Sequence, residues 1–176
     1  MKTRIVKTFE MFQEETPHTR YQNDKGGKFW GNLGAGVLAY CPDTERFLVS
    51  LRSSKVNEPN TWGIIGGKLD AGEDDLKEVA TREFVEETSY EGKIDLFPLY
   101  VFKDEKGTFE YHNFLGIVEK EFEPVLDWET EKTEWVTLSE LKSLKRKHFG
   151  LEALLKYSDK EIVKIANDST HREDSK

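Results

Sequence analysis

The stretch Gly66–Tyr90, "GGKLDAGEDDLKEVATREFVEETSY", decides how this chain folds. It leaves a pair of glycines and enters a segment dense in carboxylates. Leu76, Val79, Ala80 and Phe84 recur at spacings of three and four, the apolar stripe of an amphipathic helix. Asp74 or Asp75 can cap its start, and acidic residues in a first turn suit the helix dipole. Glu83, Glu86 and Glu87 then share one side of a single turn. Like charges so placed repel one another, unless a divalent cation sits among them. Hard cations such as Mg²⁺ take oxygen ligands. An acidic helix by itself is usually a solvated face. Here it follows directly on Gly66–Gly67, where glycine lets backbone approach a ligand closely.

Upstream, "LGAGVLAY" is a short apolar run that reads as a buried strand. "CPDTE" breaks it with a turn, and "RFLVSLRSS" alternates as a second strand, making a hairpin. "KVNEPNTW" is a loop, and "WGIIGGKL" is a short strand running into the glycine pair. Downstream, "LFPLYVFKDEKGTFEYHNFLGIV" predicts two strands around a turn at Asp104–Gly107. "TEWVTLSELKSL" predicts a strand and a short helix capped by Ser139. "HFGLEALLKYS" predicts a final helix, with a frayed polar tail from Asn167. The expected organisation is an arm over 1–32, irregular from "PHTRYQNDKGGKFWGN", then a domain over 33–157. Residues 158–176 would be the end of the last helix and the tail. The fold class is α/β (α+β), one sheet between helices.

The 176 residues suit one domain of ordinary size. Hydrophobic residues make 36% and charged residues 34%, a globular balance that argues against wholesale disorder. Cys41 is the lone cysteine, so no internal disulfide forms and a cytoplasmic setting is compatible. It reads as a small, semi-buried residue. No apolar run suggests a signal or a membrane span. A net charge of -8 argues against general nucleic-acid binding. It leaves room for a nucleotide whose phosphates a cation screens.

The segment "GGKLDAGEDDLKEVATREFVEETSY" resembles the Nudix box, G-x5-E-x7-R-E-U-x-E-E-x-G-U, where U is bulky and apolar. Gly67, Glu73, Arg82, Glu83, Phe84, Glu86 and Glu87 match in type and order. The similarity extends roughly from Leu33 to Leu155 and implies an α/β/α sandwich with a central mixed sheet. Two departures stand out. Ser89 and Tyr90 replace the usual Gly and aliphatic residue. One extra residue also lies between Gly67 and Arg82, so the first glutamate of the box falls on Glu73 counting forward and on Asp74 counting back. Glu73 is favoured as the Arg82 partner, because its longer side chain spans one added residue.

The resemblance implies a hydrolase that cleaves the pyrophosphate of a nucleoside diphosphate linked to another moiety. That moiety is a nucleotide, a sugar, a second nucleoside or a capped RNA end. Mg²⁺ is the implied cofactor, with Mn²⁺ able to substitute. The alternative is a catalytically weak nucleotide-binding or regulatory module. The implied metal ligands are Glu83, Glu86, Glu87 and the carbonyl of Gly66, with Arg82 orienting the carboxylates. The general base is Glu129, first choice among Glu129, Glu131 and Glu134. Arg52, Trp62 and Lys68 are candidate substrate contacts, and Gly67, Glu73 and Asp74 are structural. His112 and His148 lack ligand partners at metal spacing and read as structural. The basic run "LKSLKRKH" is the one local feature favouring RNA. A homodimer is compatible with the resemblance, although no segment marks an interface.

Overall fold

The computed structural model describes residues 19–22, 28–70 and 72–173. The sheet contains β1 (Thr19–Gln22), β2 (Lys28–Cys41), β3 (Arg46–Arg52), β4 (Trp62–Gly63), β5 (Ile65–Lys68), β6 (Ile94–Lys103), β7 (Phe109–Val118) and β8 (Thr130–Thr137). The helices are α1 (Leu76–Thr88), α2 (Leu138–Ser143) and α3 (Phe149–Glu173). β2 is the spine. It pairs antiparallel with β1 near its start; farther on it pairs antiparallel with β5 and then β3 along one side and parallel with β7 along the other. β6 extends the sheet beyond β7, and β3 also carries β4 and β8. The sheet is therefore mixed, as the family resemblance implies.

Alternation along β2 builds the two layers. Leu33, Ala35, Val37, Ala39 and Cys41 point to one face, where Val79, Ala80 and Phe84 of α1 cover them. Leu38 and Tyr40 point to the other face, where Leu151, Leu154 and Ile162 of α3 pack with Phe47 and Val49. Each fully buried side chain of this kind contributes about 1.5–3 kcal/mol relative to exposure. The result is helix on sheet on helix. Cys41 is completely buried rather than semi-buried.

Four local expectations change. The arm is not wholly irregular: Thr19–Gln22 and Lys28–Gly31 form an antiparallel pair that extends β2, while residues 1–18 lie outside those described. "WGIIGGKL" makes two short strands with different partners, β4 on β3 and β5 on β2. The cap of α2 is Thr137, not Ser139. Thr137 Oγ1 accepts from the Glu140 amide at 3.3 Å and the Glu140 carboxylate accepts from the Thr137 amide at 2.8 Å, a reciprocal box. Finally, α3 runs unbroken through Asn167 to Glu173. Ala166 is buried, and Thr170 reaches Tyr40 of β2 at 3.0 Å, so the segment expected to fray docks on the sheet.

Candidate functional site

α1 begins at Asp75, whose carboxylate accepts from the amides of Lys77 (2.8 Å) and Glu78 (3.4 Å). It ends at Ser89, in the left-handed conformation at φ 55°, with its amide bonded to Val85 O at 2.7 Å. Burial of Val79, Ala80 and Phe84 fixes the rotation of this helix and so fixes where its carboxylates project.

Arg82 gathers the acidic residues around it. Its Nε donates to Glu73 at 2.8 Å and its Nη2 to the other Glu73 oxygen at 3.1 Å. Nη1 lies 2.9 Å from Glu83 and 3.0 Å from Glu86, and Nη2 also donates to the carbonyl of Lys68 at 3.3 Å. The hydrogen bonds from Arg82, helped by the Asp70 amide, hold the Glu73 carboxyl below its usual range, and Glu73 in turn raises the guanidinium. Arg82 thus ties the end of β5, the loop and the helix into one frame.

Beside this frame lies a cavity of about 330 Å³. α1 contributes Glu83 and Glu87, β5 contributes Gly66, Gly67 and Lys68, and Arg52 and Glu129 enter from β3 and the loop before β8. Gly67 leaves the Glu83 carboxylate its place, because an added Cβ would run into that carboxylate. At Gly66 it would strike Ala35 O and the hydroxyl of Tyr111. Burial raises the Glu83 carboxyl, and it pushes Glu87 up to about 8, with Glu83, Asp127 and Glu129 adding repulsion. Arg52 is lowered by burial but steadied by Glu129 and Glu87, while its Nε donates to Asn57 O at 2.8 Å. Lys68 is also lowered by burial.

The cavity therefore brings together Glu83, Glu87, Glu129, Arg52, Lys68, Gly66 and Gly67 from the sequence expectations. Glu129 is held through its backbone, its carbonyl accepting from Ser53 and its amide donating to Asp127. Among Glu129, Glu131 and Glu134, only Glu129 lines the cavity. Glu86 does not line it: its side chain is 59% exposed, against 17% for Glu83, and Arg82 engages it. Trp62 does not line it either. Its ring packs on the α3-side core with Lys132 above it, so it is no stacking platform inside the cavity. Its backbone instead exchanges hydrogen bonds with Arg146 O and the His148 amide, pinning the chain that enters α3.

Tyr111, Asn113 and His148 also line the cavity, together with Phe102, Phe109 and Phe149. Sequence spacing gave no signal for them, because they come from β6, β7 and the start of α3. His148, expected to be structural, stands in the cavity wall, where its Nδ1 accepts from the Gly150 amide at 3.1 Å. His112 lies elsewhere, 3.2 Å from Glu110. In the basic run, Lys142 pairs with Asp159 and Lys147 donates to two carbonyls, so two of its charges are already engaged.

The donor chemistry fits a hard divalent cation. Glu83 and Glu87 are oxygen donors pressed together in a partly buried, repulsive environment, which a cation would relieve. Among the described residues, no three such side chains stand ready-made as a metal cage. No helix among those residues is long and apolar enough to cross a membrane.

The sequence matches the NUDIX domain over residues 32–157. No curated protein matches it significantly. Among solved structures, it is similar to a Nudix hydrolase of M. smegmatis, RenU, at 18% identity and TM-score 0.56, covering 78% of this chain and 92% of that one. The NUDIX domain of Shewanella oneidensis NrtR, complexed with ADP ribose, superposes at 15% identity and TM-score 0.57, covering 70% and 84%. A C. elegans Ap4A hydrolase superposes at 17% identity and TM-score 0.52, covering 81% and 99%. At these identities the structures establish the shared fold.

Proposed function

This chain belongs to the NUDIX family, and on that premise we propose that it is a divalent-cation-dependent pyrophosphohydrolase. Its substrate is a nucleoside diphosphate linked to another moiety. The observation that carries this reading is the convergence of Glu83, Glu87 and Glu129 with Arg52 and Lys68 on one cavity. Carboxylates alone would repel a diphosphate, and cationic side chains alone would not activate water.

Glu83 and Glu87 would hold the cation, with Glu86 at the rim and the carbonyl of Gly66 completing the oxygen donors. Bound Mg²⁺, or Mn²⁺ in its place, supplies charge neutralisation at the phosphate oxygens and acidifies the attacking water. Glu129, at the cavity wall, would accept the proton of an attacking water. Arg52 and Lys68, which line the cavity, would meet phosphate oxygens and steady the charge that develops there. Arg82 does not touch substrate; it orients Glu83 and Glu86 and joins them to Glu73. The lone cysteine fits a cytoplasmic setting for this reaction.

The test is a panel of nucleoside triphosphates, ADP-ribose, dinucleoside polyphosphates, dinucleotide cofactors and capped RNA with Mg²⁺ or Mn²⁺, products identified by mass. Turnover of at least one member is expected. Glu87→Gln and Glu86→Gln should each reduce it by 100-fold or more while the protein stays folded. Absence of turnover across the panel, with ligand still bound, would turn the reading toward a nucleotide-binding module.

A further inference from the structure

Tyr111 of β7 is paired with Gly34 of β2, and its ring lies across bare backbone. A Cβ added at Gly34 would come within 2.7 Å of the ring carbon Cδ2. At Gly36, and at its β5 partner Gly66, an added Cβ would strike the phenol hydroxyl. Three glycines on two strands thus make a bed for one ring, with Phe109 stacked beside it at 6.2 Å. A side chain at any of the three would push the ring out of its place. A hydroxyl held this firmly on regular strands is preorganised, as a group that meets a ligand must be.

The hydroxyl lies within the field of the site. The charges of Glu87, Glu83 and Arg52 act on it, yet it hydrogen-bonds to none of them. Burial, reinforced by the two carboxylates, raises the phenol above its ordinary range, so the oxygen keeps its proton. Tyr111 is only partly buried and lines the cavity, and its hydroxyl is not among the sealed, unpartnered polar atoms of the described residues. It is therefore a fixed, neutral O–H donor that opens on the cavity. A cation-bound water offers its protons and not its lone pairs, so it does not answer that donor. A phosphate oxygen drawn to Arg52 does.

We propose that Tyr111 is a catalytic residue whose hydroxyl donates a hydrogen bond to a non-bridging phosphate oxygen of the substrate. That bond strengthens as negative charge grows on the oxygen during attack, so it favours the transition state over bound substrate. Being neutral, the donor adds to Arg52 without repelling the cation, as a further positive side chain there would. The proposal rests on the hydrolase reading for the reaction, and it adds a residue that lies outside the box motif.

The experiment compares full-length wild type with Tyr111→Phe, which keeps the ring on its glycines and removes only the oxygen. Each protein with Mg²⁺ is titrated by calorimetry with methylenediphosphonate, a diphosphate analogue that cannot be hydrolysed. Mn²⁺ binding without the analogue is followed by its EPR signal, and thermal unfolding checks the fold. Tyr111→Phe should bind the analogue about threefold or more weakly, with Mn²⁺ affinity and melting temperature unchanged. On any substrate that turns over, kcat should fall about tenfold or more while KM shifts by less than about threefold. Equal affinity for the analogue, or an unchanged kcat, overturns the proposal, and so does a wild type that does not bind the analogue. A loss of Mn²⁺ affinity as large as the loss for the analogue also overturns it, because the hydroxyl would then belong to the cation site. Turnover that Tyr111→Phe leaves intact would sink this proposal alone. A weakened analogue affinity without turnover of any substrate would sink only the hydrolase reading.

Discussion

Glu73 grips Arg82 through two hydrogen bonds, 2.8 Å to Nε and 3.1 Å to Nη2, across nine residues of chain. Glu73 stands before the helix, and its carboxylate also accepts from the Asp70 amide at 2.7 Å, closing the loop on itself. The extra residue of the box is thus taken up between Glu73 and the Asp75 cap, at the helix start. Glu73→Ala should cost about 1–2 kcal/mol of stability by urea unfolding. It should lower kcat/KM by roughly 10–100-fold, as loss of a group orienting metal ligands does. Asp74→Ala should cost less on both measures; a larger loss there than at Glu73 would refute the assignment.

Gly67→Ala probes the opposite side of the same carboxylate. The new methyl would meet the Glu83 carboxyl group, the far end of a flexible side chain. That group can swing away cheaply, so stability should change by less than about 1 kcal/mol. Cation-dependent turnover should nevertheless drop tenfold or more. Thermal unfolding and steady-state kinetics on the same sample separate the two effects.

Ser89 ends α1 at φ 55°, where a side chain is strained and glycine is not. Ser89→Gly should therefore stabilise the protein by about 0.5–1 kcal/mol in chemical denaturation, net of the freedom glycine adds to the unfolded chain. Catalysis should be little altered. A destabilised variant would show that Ser89 contributes more than its backbone geometry.

Glu87 gives metal-free protein an unusual pH response. Its folded carboxyl, pushed to about 8, keeps a proton that the unfolded chain releases near the ordinary value of 4.5. The folded state binds more protons, so stability should fall as pH rises through that window. Melting in EDTA should show the decline, and Glu87→Gln should flatten it. Added Mg²⁺ should restore more stability at pH 8 than at pH 6, because a ligand carboxyl must be deprotonated. No difference between the two pH values would count against Glu87 as a ligand.

His148 has the opposite slope. Burial, with Arg52 adding to it, lowers the ring to about 3 from 6.5. Between those values the unfolded chain is protonated and the folded one is not, so stability should be lost as pH falls from 6.5 toward 3. The contribution is on the order of 3–5 kcal/mol if the unfolded ring titrates normally. His148→Phe should lose this acid-side slope relative to wild type, measured by urea unfolding across the range.

The apolar stripe Leu76, Val79, Ala80 and Phe84 and the shared face of Glu83 and Glu87 were legible in the sequence because helical spacing is a local property. The preference for Glu73 over Asp74 was also legible, from side-chain length alone. Local signals misled where two neighbours competed. Thr137 outcompetes Ser139 as the α2 cap because Glu140 stands at the reciprocal position for Thr137. Asn167–Glu173 looked frayed because its polar sequence does not show that Ala166 and Thr170 find the sheet.

The sequence by itself therefore determined the helix that presents the carboxylates, the glycines that let it approach β5, and the family to which the motif points. The i, i+4 spacing also put Glu86 within ion-pair reach of Arg82; tertiary structure decided that Trp62 packs on the α3-side core. It also alone placed Tyr111, Asn113 and His148 in one wall with Arg52 and Glu129. Spacing along one helix is written in neighbouring residues. The meeting of β3, β7, the loop before β8 and the start of α3 depends on strand pairing and packing between segments far apart in the chain, which no short window of sequence contains.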